Sequence, residues 1–255
     1  MKINSEIIEA YLNDKDMKTC ELYPLLKGFR KPSVKRKDVC KELLSQLESI
    51  LEEFPTFNKD LWNQLFHDKG LLLDRITIVP TVGVKEHTIK KDDNHIYILM
   101  DLIMVADVTP MVAQMQYVIE NFLSLEITRL CIHDSYPMKS NNYQYMLDYF
   151  TFSNGLSNFI SWNAQAKNYK FHTQKYEPYK EKVFALLLQS MSIDNKALQH
   201  KVLMSAVSGD FWTQFPGAAG MFYFNDVFRE YGNDGIFALY KKGPDHFVRH
   251  IFCES

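Results

Sequence analysis

Residues 95–137, HIYILMDLIMVADVTPMVAQMQYVIENFLSLEITRLCIHDSYP, decide how this chain is read. The first part, His95 to Val105, is rich in β-branched and large apolar residues and predicts a strand. It is apolar on both faces near its end, as in a strand buried inside a domain. At Thr109-Pro110 the pattern changes. Threonine caps a helix by accepting N–H groups of the first turn, and proline at the first helical position gives up an N–H that has no helical partner. A long helix is expected from there to about Cys131. Met111, Met115, Val118, Ile119, Phe122, Leu123 and Ile127 form a wide apolar stripe along it.

Working outward, Arg75 to Pro80 (RITIVP) predicts a second strand, joined to the first by the polar, hairpin-like link Lys85 to Asn94. Towards the N-terminus, helices are expected at Ile3–Leu12, Arg36–Phe54 and Asn58–Phe66. Val39, Leu43, Leu44, Leu47, Ile50 and Leu51 recur at helical spacing in the second, Pro55 closes it, and Asn58 serves as N-cap of the third. Beyond residue 137 the chain is helical: Asn142–Trp162, Tyr179–Met191, Lys196–Val207 and Pro216–Tyr231. Gly232 is a C-cap for the last, and short helices follow at Gly235–Lys241 and Pro244–Phe252. Helices, a small sheet at 75–105, then a helical half make an α+β fold, mostly helical. The expected division is an N-terminal helical region, 1–70, and a domain over 71–255, packed as one compact unit.

Composition narrows the function. Hydrophobic residues make up 46% of the 255, enough for a core that needs no disulfide or metal to fold. The 29 basic and 31 acidic residues leave a net charge of −2, without the basic excess of a nucleic-acid binder. The one basic cluster, Lys27, Arg30, Lys31, Lys35, Arg36 and Lys37, reads as a solvated connector running into a helix start, with phosphate binding as the rarer alternative. No apolar run approaches the roughly 20 residues of a membrane span, and Met1 to Asn13 has no signal-peptide core. The four cysteines form no Cys-x-x-Cys pair, and Cys40 and Cys131 read as small core residues. A soluble cytoplasmic protein is expected, with neither nucleic-acid nor membrane partner.

A zincin binds its metal with His-Glu-x-x-His on a helix that follows a small sheet. Residues i and i+4 share a face, so both imidazoles reach one ion while the glutamate takes a proton from the bound water. Residues 95–137 resemble the central part of a bacterial family of zinc-dependent proteases of the zincin class, known from sequence. The family motif falls on Ile119-Glu120-Asn121-Phe122-Leu123: Glu120 matches the general base, but Ile119 and Leu123 stand where both histidines belong. The third ligand, a glutamate on the next long helix, is replaced by Asn154 within Ser153-Asn154-Gly155-Leu156-Ser157. Gly220 to Phe247 is similar to the family's last helical pair. The resemblance implies a zincin-like fold that has lost its metal, since Ile and Leu cannot coordinate and Asn is a poor substitute for a carboxylate. No cofactor and no metal are expected.

Other candidates are weighed against plainer roles. Tyr223 and Asp226 lie on the helix opened by Pro216-Gly217-Ala218-Ala219-Gly220; the resemblance implies that Tyr223 contacts a substrate oxyanion, where core packing is the alternative. His133-Asp134 is expected just past a helix end, facing a cleft or serving as a cap. His246 and His250, four apart beside Asp245, have metal-binding spacing but also suit a helix end. Ser153 and Ser208 sit in turn- or helix-compatible contexts without a nearby base. The expected site has Glu120, Tyr223 and His133 as catalytic candidates and Ile119, Leu123, Asn154 and Asp134 lining the cleft. Three functions follow: a metal-free zincin-like protein binding a peptide or small molecule in the former active-site cleft; a metal-independent enzyme in which an apolar cleft makes Glu120 an acid or base; or a structural or partner-binding protein whose contact surface is its N-terminal helices and basic connector.

Overall fold

The computed structural model describes residues 1–26, 28–30, 36–84, 88–92, 94–109, 111–208 and 211–253. The fold is α+β and mostly helical, with a small four-stranded mixed sheet. The chain divides into two compact units, Met1–Thr56 with Asp68–Glu120, and Phe57–His67 with Asn121–Ser255. This division departs from the expected boundary at residue 70. The N-terminal residues enter the sheet, and the short helix near residue 60 belongs with the second unit.

In the first unit the strands are β1 (Lys2–Ile3), β2 (Ile76–Thr81), β3 (Thr88–Lys91) and β4 (Ile96–Asp101), in the order β1-β2-β4-β3. β2 and β4 are parallel, Ile76 beside Ile96 through Thr81 beside Asp101. Parallel neighbours cannot be joined by a tight hairpin. Instead the link carries β3, which pairs antiparallel with β4 from Thr88 beside Leu99 to Lys91 beside Ile96. Helices α1 (Glu6–Leu12), α2 (Lys37–Glu53), α4 (Gly70–Asp74) and α5 (Leu102–Val108) complete this unit with the start of α6 (Val112–Ser135). Ile7, Ala10 and Cys20 pack with Val79 and Leu99 into one apolar cluster.

The strand expected to reach Val105 ends at Asp101 for a definite reason. Asp101 is 1% exposed. Its Oδ1 accepts the N–H groups of Ile103 (2.8 Å) and Met104 (3.1 Å), and its Oδ2 accepts that of Val84 (2.8 Å). It is the N-cap that turns the chain from β4 into α5. The long helix starts at Val112, later than expected, so Thr109 is the C-cap of α5 rather than the N-cap of α6; its Oγ1 accepts the Met111 N–H at 3.2 Å, while Pro110 lies outside the described residues.

The second unit is built around α7 (Tyr143–Ser161), in which every residue from Leu147 to Ser161 except Phe150 is buried. Against it pack α9 (Lys196–Val207), α10 (Phe215–Lys242) and α11 (Phe247–Cys253), while α3 (Lys59–Phe66) and α8 (Glu177–Ser190) pack on α10. Helix α7 carries an unusual number of buried hydroxyls. Thr151, Ser157 and Ser161 each donate to the carbonyl four residues back at 2.7 Å, so they need no partner from outside the helix. That leaves one face thin, and α10 closes on it. A Cβ on Gly155 would lie 2.7 Å from Gly220 Cα, and one on Gly220 would lie 2.1 Å from the Thr151 carbonyl oxygen. These backbones touch.

Asn58 does not cap α3 with its side chain. It sits in the left-handed region (φ 46°), which asparagine tolerates, and its amide ties down the loop after α7. Its Nδ2 donates to the Ile160 carbonyl and the Tyr169 hydroxyl, both at 2.7 Å. Trp62 Nε1 donates to Thr128 Oγ1 at 3.2 Å, and Phe66 packs edge-on against Tyr240. These contacts hold α3 in the second unit. Cys40 and Cys131 are fully buried core residues. Among the described residues no helix is long and apolar enough to cross a membrane.

Replacing Gly220 by alanine is expected to cost about 3 kcal/mol, the upper end of overpacking penalties, because the obstructing atom is backbone. Gly70, where an added Cβ meets nothing within 4 Å, is the control; its alanine variant is expected to gain about 0.5 kcal/mol. Urea unfolding midpoints check both.

Candidate functional site

The residues expected to line a zincin cleft have varied surroundings. Ile119 and Leu123 are 0% exposed and serve as core hydrocarbon of α6. Glu120, between them, is half-exposed, and its Oε1 accepts from Gln116 Nε2 one turn earlier at 3.0 Å. The α6 helix continues to Ser135, past the expected end at Cys131, so His133 and Asp134 are exposed residues of its last turn rather than loop residues. As neighbours on a helix they point about 100° apart. Asn154 is 8% exposed, and its Nδ2 donates to the Ala206 carbonyl at 2.9 Å, which fastens α9 to α7. Tyr223 is half-buried, edge-on to Phe247 with ring centres 5.7 Å apart.

Tyr223 also lines a groove of about 550 Å³ that α10 makes with itself. Gly232, at φ 63° and ψ −151°, breaks the helix there, in a region open to glycine alone. The helix expected to end at this glycine breaks here, and a second helical half follows, as expected. Tyr223, Asp226, Glu230 and Tyr231 line the groove from the first half, and Asp234, Leu239 and Lys242 from the second. The halves meet closely: a Cβ on Gly235 would lie 2.6 Å from Tyr231 Cβ and 2.9 Å from Val227 Cγ1. Lys180 Nζ holds Asp226 Oδ2 at 2.8 Å. The Glu230 carboxylate takes a hydrogen bond from the Tyr231 hydroxyl, which raises the pKa of that phenol. Three carboxylates and two tyrosines in one concavity suit a cation with an apolar stem.

A second depression, of about 390 Å³, lies where the start of α7, the end of α8 and the start of α11 converge. Its lining includes Tyr145, Asp148, Met191, His246 and Arg249. Asp148 is 8% exposed, and its Oδ1 accepts the Val248 N–H at 2.8 Å. Burial pushes its pKa up, while the Val248 N–H and the nearby His246 and Arg249 pull it down; burial wins. His246 was expected on a helix with His250, but α11 begins at Phe247 and His246 takes a left-handed backbone at φ 59°. Its carbonyl accepts the His250 N–H at 3.2 Å, the first bond of α11, so His246 stands just before the helix on which His250 lies. Among the described residues no group of three or more His, Cys, Asp or Glu is placed to hold a metal ion.

Sequence reasoning missed Asp148 and Arg249. Asp148 is the one charged residue of α7, and that lone acid was the available signal. The Lys180 bridge to Asp226 joins two helices and left no local signature. Of the basic connector, Arg36 pairs with Asp107 at 2.6 Å and Lys37 with Asp14 at 2.5 Å, while Lys27, Lys31 and Lys35 lie outside the described residues, as do Gly209 and Asp210 after Ser208. No family model, curated protein or solved structure matches this chain.

Because the Asp148 carboxyl has a raised pKa, the folded state binds more protons than the unfolded one between the ordinary value of 3.8 and that raised value. Stability contributed by this group therefore falls as pH climbs through that window. Asp148→Asn keeps an oxygen for the Val248 N–H and removes the titration. Its stability relative to the parent is expected to rise from pH 3 to neutrality in urea melts; a difference that stays flat or falls contradicts the assignment.

Proposed function

We propose that this chain is a metal-free, zincin-like binding protein whose ligand, a peptide or small molecule bearing a cationic group, occupies the groove in the bend of α10. The observation that carries this reading is the groove itself. Its volume of about 550 Å³ is in the range of small-ligand sites. Tyr223 and Tyr231 offer π faces, and with Asp226 held by Lys180, Glu230 and Asp234 still outnumber the single lysine, Lys242, in the lining. The metal-free part is supported by side-chain chemistry at positions 119, 123 and 154. Two are buried hydrocarbon, and the third commits its amide nitrogen to the Ala206 carbonyl.

The reading in which Glu120 works as an acid or base draws less support, because that carboxylate is half-exposed and accepts from Gln116. The partner-binding reading draws less still, because Arg36 and Lys37 are matched by acids of their own unit.

Titration of the protein with the peptide Ala-Lys-Leu-Ala by calorimetry tests the proposal. Saturable binding is expected, weakened by salt. Glu230→Gln combined with Asp234→Asn is expected to lower affinity about tenfold, near 1.4 kcal/mol. The peptide should be recovered intact by mass spectrometry. Equal affinity for a peptide with norleucine in place of lysine contradicts the proposal, as does cleavage of the peptide.

A further inference from the structure

We propose that the depression at the α7–α8–α11 junction is a second binding site, specific for a small zwitterion of the amino-acid type. It is formed by residues far apart in the chain, 142–148, 191 and 245–249, and its 390 Å³ is separate from the α10 groove in lining and in charge. Asp148 is more than nine-tenths buried and is held in place by the Val248 N–H. A carboxylate fixed in this way is a preorganised partner for an ammonium group. Arg249 is exposed in the same lining and presents a guanidinium, the side chain best suited to a carboxylate.

The backbone at His246 adds to the argument. A non-glycine residue in the left-handed region is strained, and it persists where its surroundings hold it. The His246 N–H is bonded to Asp148 and its carbonyl to the His250 N–H. His246 and Asp245 both line the depression. With acids and a guanidinium in one lining, a ligand carrying a single charge leaves one sign unanswered. A ligand with both an ammonium and a carboxylate answers both. Met191, Val248 and the Tyr145 ring supply apolar surface for a hydrocarbon side chain.

The test uses L-leucine, N-acetyl-L-leucine and L-leucinamide as probes in amide NMR titrations of the whole protein. Leucine is expected to shift the resonances of Tyr145, Val248 and Arg249 saturably, with the two blocked forms at least about tenfold weaker. Asp148→Asn and the surface variant Arg249→Gln should each weaken leucine about tenfold while spectra elsewhere stay unchanged. The proposal is overturned if leucine produces no shifts at tens of millimolar, if either blocked form binds as well as leucine, or if Arg249→Gln leaves its affinity intact.

Discussion

The second unit depends on a single steric condition: Gly155 and Gly220 must have no side chains. An added Cβ at either site would lie well inside van der Waals contact with the opposing helix. The gain from this approach is dispersion and buried area along the whole length of α7 against α10, which no other pair of elements in the unit matches. The hydroxyls of Thr151, Ser157 and Ser161 make the approach affordable because each is satisfied within its own helix. Around that seam the aromatic side chains lock in sequence. Phe152 meets Phe224, Phe247 and Tyr240, and Phe159 meets Phe224, Phe228 and Tyr169.

Both concavities derive from this arrangement. The first half of α10 is held on α7, and Gly232 lets the second half turn back, so the lining from Tyr223 to Lys242 becomes a groove. Phe247 stacks on Phe224 and carries the start of α11 to Asp148, which creates the second depression. The two differ in chemistry. The α10 groove is rich in carboxylates and tyrosines, whereas the α7–α11 depression mixes acids with Arg249 and His246.

Much of the helical architecture was legible because apolar residues recur every three to four positions, as in α2, and because glycine and asparagine mark ends, as Gly232 and Asn142 do. The β4–α5 junction was not. Residues 96–105 are apolar throughout, and a continuous buried run has the same composition in either conformation; only the local bonds of Asp101 separate the two. The parallel pairing of β2 with β4 was hidden for a similar reason, since pairing direction depends on where the connection runs and not on the strands. The α6 helix was extended beyond Cys131 by one turn that ends in polar residues. Of the expected site residues, Tyr223 lines a groove, but that groove arises from a bend whose angle no spacing rule gives. Asp148 escaped notice because its partner, the Val248 N–H, is 100 residues away.

The proposal rests on α6 carrying buried hydrocarbon at both Ile119 and Leu123, and on the protein binding a ligand without a metal and without hydrolysing it. The most direct measurement is zinc content by elemental mass spectrometry on untagged protein, equilibrated with a small excess of zinc and then dialysed. The account predicts well under one zinc per chain and no change in thermal stability on adding a chelator. One zinc per chain, lost together with stability when chelator is added, would contradict it.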